Sequence, residues 1–139
     1  MRNSLKALAV VVTAAALVYA WPYIKMNVAE SAHYTEQDVR EYQFYTHDIL
    51  KKMPRISSRY DFDYVNIAGP ATHIYALKFY ETENTGVINA WLASMGYTRQ
   101  SKCEPESECW RAADPKETIY MAKLKSEKGV VVQVVYYLE

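Results

Sequence analysis

Glycine is scarce, with four residues in a chain of 139. A loop that cradles phosphate needs several of them close together, so no such loop is present. Neither a Gly-x-Ser-x-Gly elbow nor a His-Glu-x-x-His helix occurs. Cysteine is limited to two positions, Cys103 and Cys109. Two thiols are too few for a structural zinc site, which takes four Cys or His ligands, and their spacing is not that of a Cys-x-x-Cys redox motif. Net charge is also missing: 16 basic residues balance 16 acidic ones. Electrostatic capture of nucleic acid normally needs a basic excess, so no nucleic-acid partner is expected. Internal repeats and low-complexity runs are absent. Half the residues are apolar or aromatic, which is enough for one domain with a real core and argues against general disorder.

What is present begins at the N-terminus. Arg2 and Lys6 precede an apolar run from Ala7 to Ile24, with Thr13 and Pro22 as its only interruptions. At 1.5 Å per residue this run spans roughly 27 Å, close to the hydrocarbon thickness of a bilayer. Tyr19, Trp21 and Tyr23 then fall where an aromatic belt belongs, and Lys25 closes the span. The same features resemble a secretory signal peptide, with Val18-Tyr19-Ala20 as the cleavage pattern. Residues 1–25 are therefore a signal-anchor or a signal peptide cut after Ala20, with the retained anchor favoured. Either way the basic start stays on the cytoplasmic side and the remainder is exported. Removing Arg2 and Lys6 from the balance of 16 basic and 16 acidic residues leaves a formal net of −2. The expected location is the inner membrane, single-pass through residues 7–24, with the C-terminal part in the periplasm or another extracytoplasmic space.

The cysteines agree with export. Cys103 and Cys109 bracket a turn-like acidic stretch, Glu104-Pro105-Glu106-Ser107-Glu108, and in an oxidising compartment two thiols this close pair.

The rest of the chain divides into residues 26–34, read as a short linker or a helical continuation of the anchor, and a domain at 35–139. Thr35 and Asp38 suggest a capping box, with a helix running to about Met53 before Pro54 stops it. Val39, Tyr42, Tyr45, Ile49, Leu50 and Met53 share its apolar face, while Phe44 falls among Arg40, Asp48 and Lys51. Residues 59–68 alternate Tyr60, Phe62 and Tyr64 with Asp61 and Asp63, and residues 73–81 form a second strand across a Gly69-Pro70 turn. Val87, Ile88, Trp91, Leu92 and Met95 make a helical stripe that Gly96 ends. Strands follow at 97–103, 109–113 and 118–124. The last strand, Val130 to Tyr137, is apolar on both faces and so belongs in the sheet interior. The expectation is an α+β fold: a two-layer sandwich with a mainly antiparallel sheet of about five or six strands and two helices on one face.

No residue pattern demands an enzyme, a metal or a cofactor. Asp61 and Asp63 on one strand face, joined by His73 across the hairpin, are the only acid–base set in view, and they would make a small hydrolase. The stronger signal is tyrosine, at thirteen residues. Its apolar ring and polar tip suit interfaces as well as strands. The leading expectation is a non-enzymatic, membrane-tethered module that binds another envelope or exported protein, as an immunity or inhibitor protein or an accessory subunit of an envelope complex. Its contact residues would be Trp110 with the acidic tip of Glu104, Glu106 and Glu108, and Phe44 with the basic cluster of Lys51, Lys52, Arg55 and Arg59. The alternative is a periplasmic glycan-binding domain with exposed Tyr and Trp as stacking platforms. An apolar N-terminal helix joined to an α/β head with a disulfide also describes pilin-like proteins. The processing Gly ahead of the run and the Glu shortly inside it are both missing, so that family is not assigned.

Overall fold

The apolar N-terminal run folds as one unbroken helix, α1 (Arg2–Val28), about 40 Å long at 1.5 Å per residue. Its most apolar 18-residue window is wholly unburied, and it is long and apolar enough to cross a membrane. The computed structural model describes residues 1–69, 71–103 and 107–138. Beyond α1 the order is β1 (Ser31–Tyr34), α2 (Val39–Tyr45), α3 (Asp48–Lys52), β2 (Tyr60–Ile67), β3 (Thr72–Tyr80), α4 (Gly86–Ser94), β4 (Thr98–Arg99), β5 (Ser107–Arg111), β6 (Glu117–Lys123) and β7 (Gly129–Tyr137).

All seven strands form one antiparallel sheet in the order β1-β2-β3-β7-β6-β5-β4. The α+β class stands, but among the described residues there are seven strands against the expected five or six, and three helices follow α1 instead of two. β7 lies at the centre, paired with β3 on one side and β6 on the other. This position explains its apolar residues on both faces. The hairpin of β2 and β3 keeps the alternation read from the sequence. Phe62 pairs with Leu77 on one face, and Asp61 pairs with Lys78 on the other.

Within residues 26–34, α1 continues to Val28 and β1 occupies Ser31–Tyr34. Met26, in the last turn of α1, is 7% exposed and lies in the hydrophobic core. Ser31 to Tyr34 pair with Val65 to Phe62 as an edge strand. The single helix expected from Thr35 to Met53 is also corrected. Asp38 does accept from the Thr35 backbone N–H at 2.9 Å, but helix starts only at Val39. It then breaks at Thr46 and His47, both extended in ψ. The break has tertiary causes. The Thr46 and Tyr34 hydroxyls share a hydrogen bond of 2.8 Å. His47 Nδ1 accepts from the Ile49 N–H at 3.2 Å, which caps α3. By contrast α4 ends where the sequence indicated, with Gly96 at φ +91°, a conformation that costs glycine little.

Among the described residues, α2, α3 and α4 pack on one face of the sheet. Tyr45, Ile49, Leu50, Met53, Ile88 and Leu92 join Tyr34, Phe62, Leu77, Trp110, Ile119, Met121, Val132 and Val134 in one cluster. Register places all of those strand residues on the same side. Much of the tyrosine is spent here. Tyr34 stacks on Phe62 with centroids 5.5 Å apart, Tyr42 meets Phe62 edge-on at 5.2 Å, and Tyr45 and Tyr64 are 4.8 Å apart. Such pairs add about 0.5–1.5 kcal/mol each beyond area burial.

Candidate functional site

Because the helices occupy one face, the opposite face of the sheet carries its own pattern. Ile74, Ala76, Val131, Gln133 and Val135 alternate outward along the two central strands, and none of them belongs to the helix-packed cluster. Ala76 and Val135 are nonetheless almost fully covered, at 5% and 8% exposed, because neighbouring strand side chains crowd them. Tyr80 and Tyr120 flank this strip. A cleft of 350 Å³ opens beside Tyr120, lined by Lys102, the Cys103–Cys109 disulfide, Arg111 and Thr118. Cys103 and Cys109 lie at disulfide distance, with their Cα atoms 6.0 Å apart.

At the other side of the same face lies a charge network on β1, β2 and β3. Register sets His33 opposite Asp63, and Asp61 opposite Lys78. His33 Nδ1 donates to Asp63 Oδ1 at 2.7 Å, while Lys78 Nζ donates to Asp63 Oδ2 at 2.7 Å. His33 Nε2 lies 3.8 Å from Asp61 Oδ2, which also accepts from the Tyr80 hydroxyl at 2.8 Å. Burial pushes the Asp63 carboxyl up, but the bonds from Lys78 and His33 outweigh it and hold it below the usual carboxylate range. The same ion pair raises Lys78. Tyr80 is pushed up to about 12, first by burial and then by its bond to Asp61.

One imidazole and two carboxylates form a set that divalent cations accept, and their ligand atoms lie within 4.8 Å of one another. Three of the four carboxylate oxygens already have protein partners. Asp61 Oδ1 is the exception, buried with no hydrogen-bond partner among the described residues. A cation here would have to compete with the Lys78 ammonium for Asp63. As it stands the network ties the edge strand β1 to the sheet.

The residues singled out from sequence are dispersed. Trp110 is not at a surface: it is 5% exposed, lies in the core, and its indole N–H donates to Asn89 Oδ1 at 3.2 Å. Glu104 and Glu106 lie outside the described residues. Glu108 turns inward, accepting from Thr85, Asn89 and Arg99 at 3.1–3.3 Å. It fastens α4 to β5 and is no free acidic tip. Arg55 is likewise internal. It donates to the carbonyls of Leu50 and Met53 at 2.7 and 3.1 Å, and its guanidinium lies 5.1 Å over Tyr60. Lys51 reaches the Gln43 carbonyl and lies over Tyr42, whereas Lys52 is exposed. Arg59 lies 4.6 Å over Tyr80 and pairs with Glu81 and Glu127. Phe44 is 43% exposed and meets the Tyr45 ring edge-on, with centroids 5.0 Å apart.

The hydrolase set is not assembled. His73 pairs in register with Asn66 and contacts Tyr64 and Tyr75, and the histidine beside Asp61 and Asp63 is His33. Its signal was the short alternation Ser31-Ala32-His33-Tyr34, hidden in what read as linker. Of the aromatics available to the glycan reading, Trp110, Tyr34 and Tyr45 are buried and Tyr42, Tyr60, Tyr64 and Tyr75 are packed against the core, while Tyr80 and Tyr120 border the helix-free face and Tyr137 is exposed. No protein-family profile, curated protein or solved structure matches this chain.

Proposed function

We propose that the chain is a non-enzymatic, membrane-tethered extracytoplasmic module that binds another envelope or exported protein through the helix-free face of its sheet. The observation that carries this reading is the one-sided layering. A strip of Ile74, Val131 and the largely covered Val135, with half-buried Gln133 at its middle, is flanked by the His33–Asp61–Asp63–Lys78 network on one side and by Arg111 and Tyr120 on the other. An apolar centre with charged and aromatic borders is the composition of protein-binding patches. The tether is α1, retained, with the head outside the cytoplasm. An unbroken helix through Ala20 that ends with Met26 inside the head core supports retention, and the Cys103–Cys109 bond fits an oxidising compartment. Tethering raises the head's concentration near partners in the same membrane, so modest affinity suffices. Inhibition of an envelope-acting toxin and a supporting role in an envelope complex both suit this design.

A photo-crosslinking residue at Gln133, half-buried at the middle of the strip, tests the reading in the native cell. A discrete protein adduct at Gln133, absent from Ala93 on the exposed side of α4, is the expected result. Equal labelling at both positions, or none at Gln133, would overturn the assignment of this face.

A further inference from the structure

We propose that the outward face of α2, formed by Val39, Arg40 and Phe44, seats in the lipid headgroup layer at the foot of α1. The inference rests on α1 being a retained membrane span.

Lys6 and Lys25 bracket the apolar run, which places Tyr23 at its outer boundary, where tyrosines collect. The Arg40 guanidinium lies 5.4 Å over the Tyr23 ring. Phe44, one turn further along α2, lines a cleft of 240 Å³ together with Met26 and Asn27 of α1. The Tyr45 hydroxyl donates to the Met26 carbonyl at 3.0 Å. These contacts run α2 alongside the last turns of α1, in the same direction. Met26 and Asn27 follow Tyr23 by three and four residues, so Phe44 is about 5 Å further from the bilayer centre than Arg40. The polar layer on each side of the hydrocarbon is about 5–7 Å thick. Both ends of the α2 face therefore fall inside it.

The side chains suit that layer. At 100° per residue Val39, Arg40, Gln43 and Phe44 share one side of α2, while Tyr42 and Tyr45 turn into the core. Val39 is 59% exposed and Phe44 43%, an apolar pair with no aqueous rationale. At the membrane surface their side chains reach toward the acyl boundary, while Arg40 and Lys25 meet lipid phosphates. The head is then fastened at two points, the span and α2, which fixes its tilt on the bilayer.

The test uses the full chain in nanodiscs of phosphatidylethanolamine and phosphatidylglycerol. A nitroxide is placed at Phe44→Cys, Val39→Cys, Leu17→Cys or Ala113→Cys, with the native disulfide verified by mass. Accessibility to oxygen and to a water-soluble nickel chelate is then compared. The labels at 44 and 39 should show several-fold lower chelate accessibility than the label at 113, an exposed turn after β5. If 44 and 39 match 113 while 17 is chelate-protected, α2 stands in water and the proposal falls alone. If 17 is itself open to the chelate, the span falls and the proposal with it.

Discussion

Replacing Trp110 with Ala removes the largest side chain of β5 from a site that is 5% exposed. Loss of a buried Trp costs about 3–5 kcal/mol when neighbours cannot collapse into the space. Ile119 and Met121, 0% and 1% exposed, both sit on β6, which is held by backbone pairing on both sides, and this limits collapse. The indole N–H bond to Asn89 is lost as well. Asn89 also donates to Glu108, so the tie between α4 and β5 loosens. Domains of this size have about 5–15 kcal/mol in all, and the substitution should consume a large fraction of it. Trp110→Phe separates the terms: it keeps most of the apolar volume and forfeits the hydrogen bond, at about 0.5–1.5 kcal/mol. Urea unfolding of the full chain in detergent micelles, followed by circular dichroism, measures both. An alanine variant whose midpoint and slope match the parent chain would refute the burial argument. It would also return Trp110 to the surface position that its neighbouring acidic residues suggested.

Reduction of Cys103–Cys109 should lower stability by about 2 kcal/mol, because a short loop constrains the unfolded chain only modestly; a loss above twice that would mean the bond holds more than its own turn. Gly129→Ala should destabilise by about 1–3 kcal/mol, since the added methyl would meet the Phe79 carbonyl oxygen and the Leu124 side chain, both at 2.5 Å; an unchanged thermal midpoint would contradict this. Asp63 titrates below its unfolded value of 3.8, so its stabilisation is present above that value and is lost as pH falls through the lower folded one. Asp63→Asn should therefore flatten the acid limb of a stability–pH curve, and an unaltered limb would remove the network from the account. Tyr34 and Tyr80 are both pushed up to about 12, by burial first, so their stabilisation is full below the unfolded value of 10.0 and is lost as pH rises toward 12. Phenolate absorbance appearing in step with unfolding checks this, whereas ionisation complete before any unfolding would count against it.

Features set by local chemistry were legible in the chain, and features set by distant partners were not. The apolar run of α1, the alternation of β2, the Gly96 stop and the two-faced apolarity of β7 each rest on neighbours in sequence. β1 is four residues long, too short for alternation to stand out, and it exists because Phe62 to Val65 offer it an edge. The break at Thr46 depends on a tyrosine twelve residues earlier. Trp110 read as an interface residue because Glu104, Glu106 and Glu108 precede it in sequence, whereas strand alternation sets it on the face opposite Cys109, and the sheet turns that face toward the helices. His33 met Asp63 instead of His73 doing so, since register across thirty residues is invisible before the strands are paired.

The burial of Met26 has a mechanical result. With the final turn of α1 lodged in the core and β1 starting two residues after Ala29, the head has no slack on which to swivel. On the proposed reading of α1 as a retained span, the head's reach is set by the tilt of that helix, and encounters come from lateral drift in the plane of the lipid sheet. Inserting a few flexible residues between Val28 and Ser31 would trade that rigid stance for a wider sweep, at the cost of unplugging the methionine.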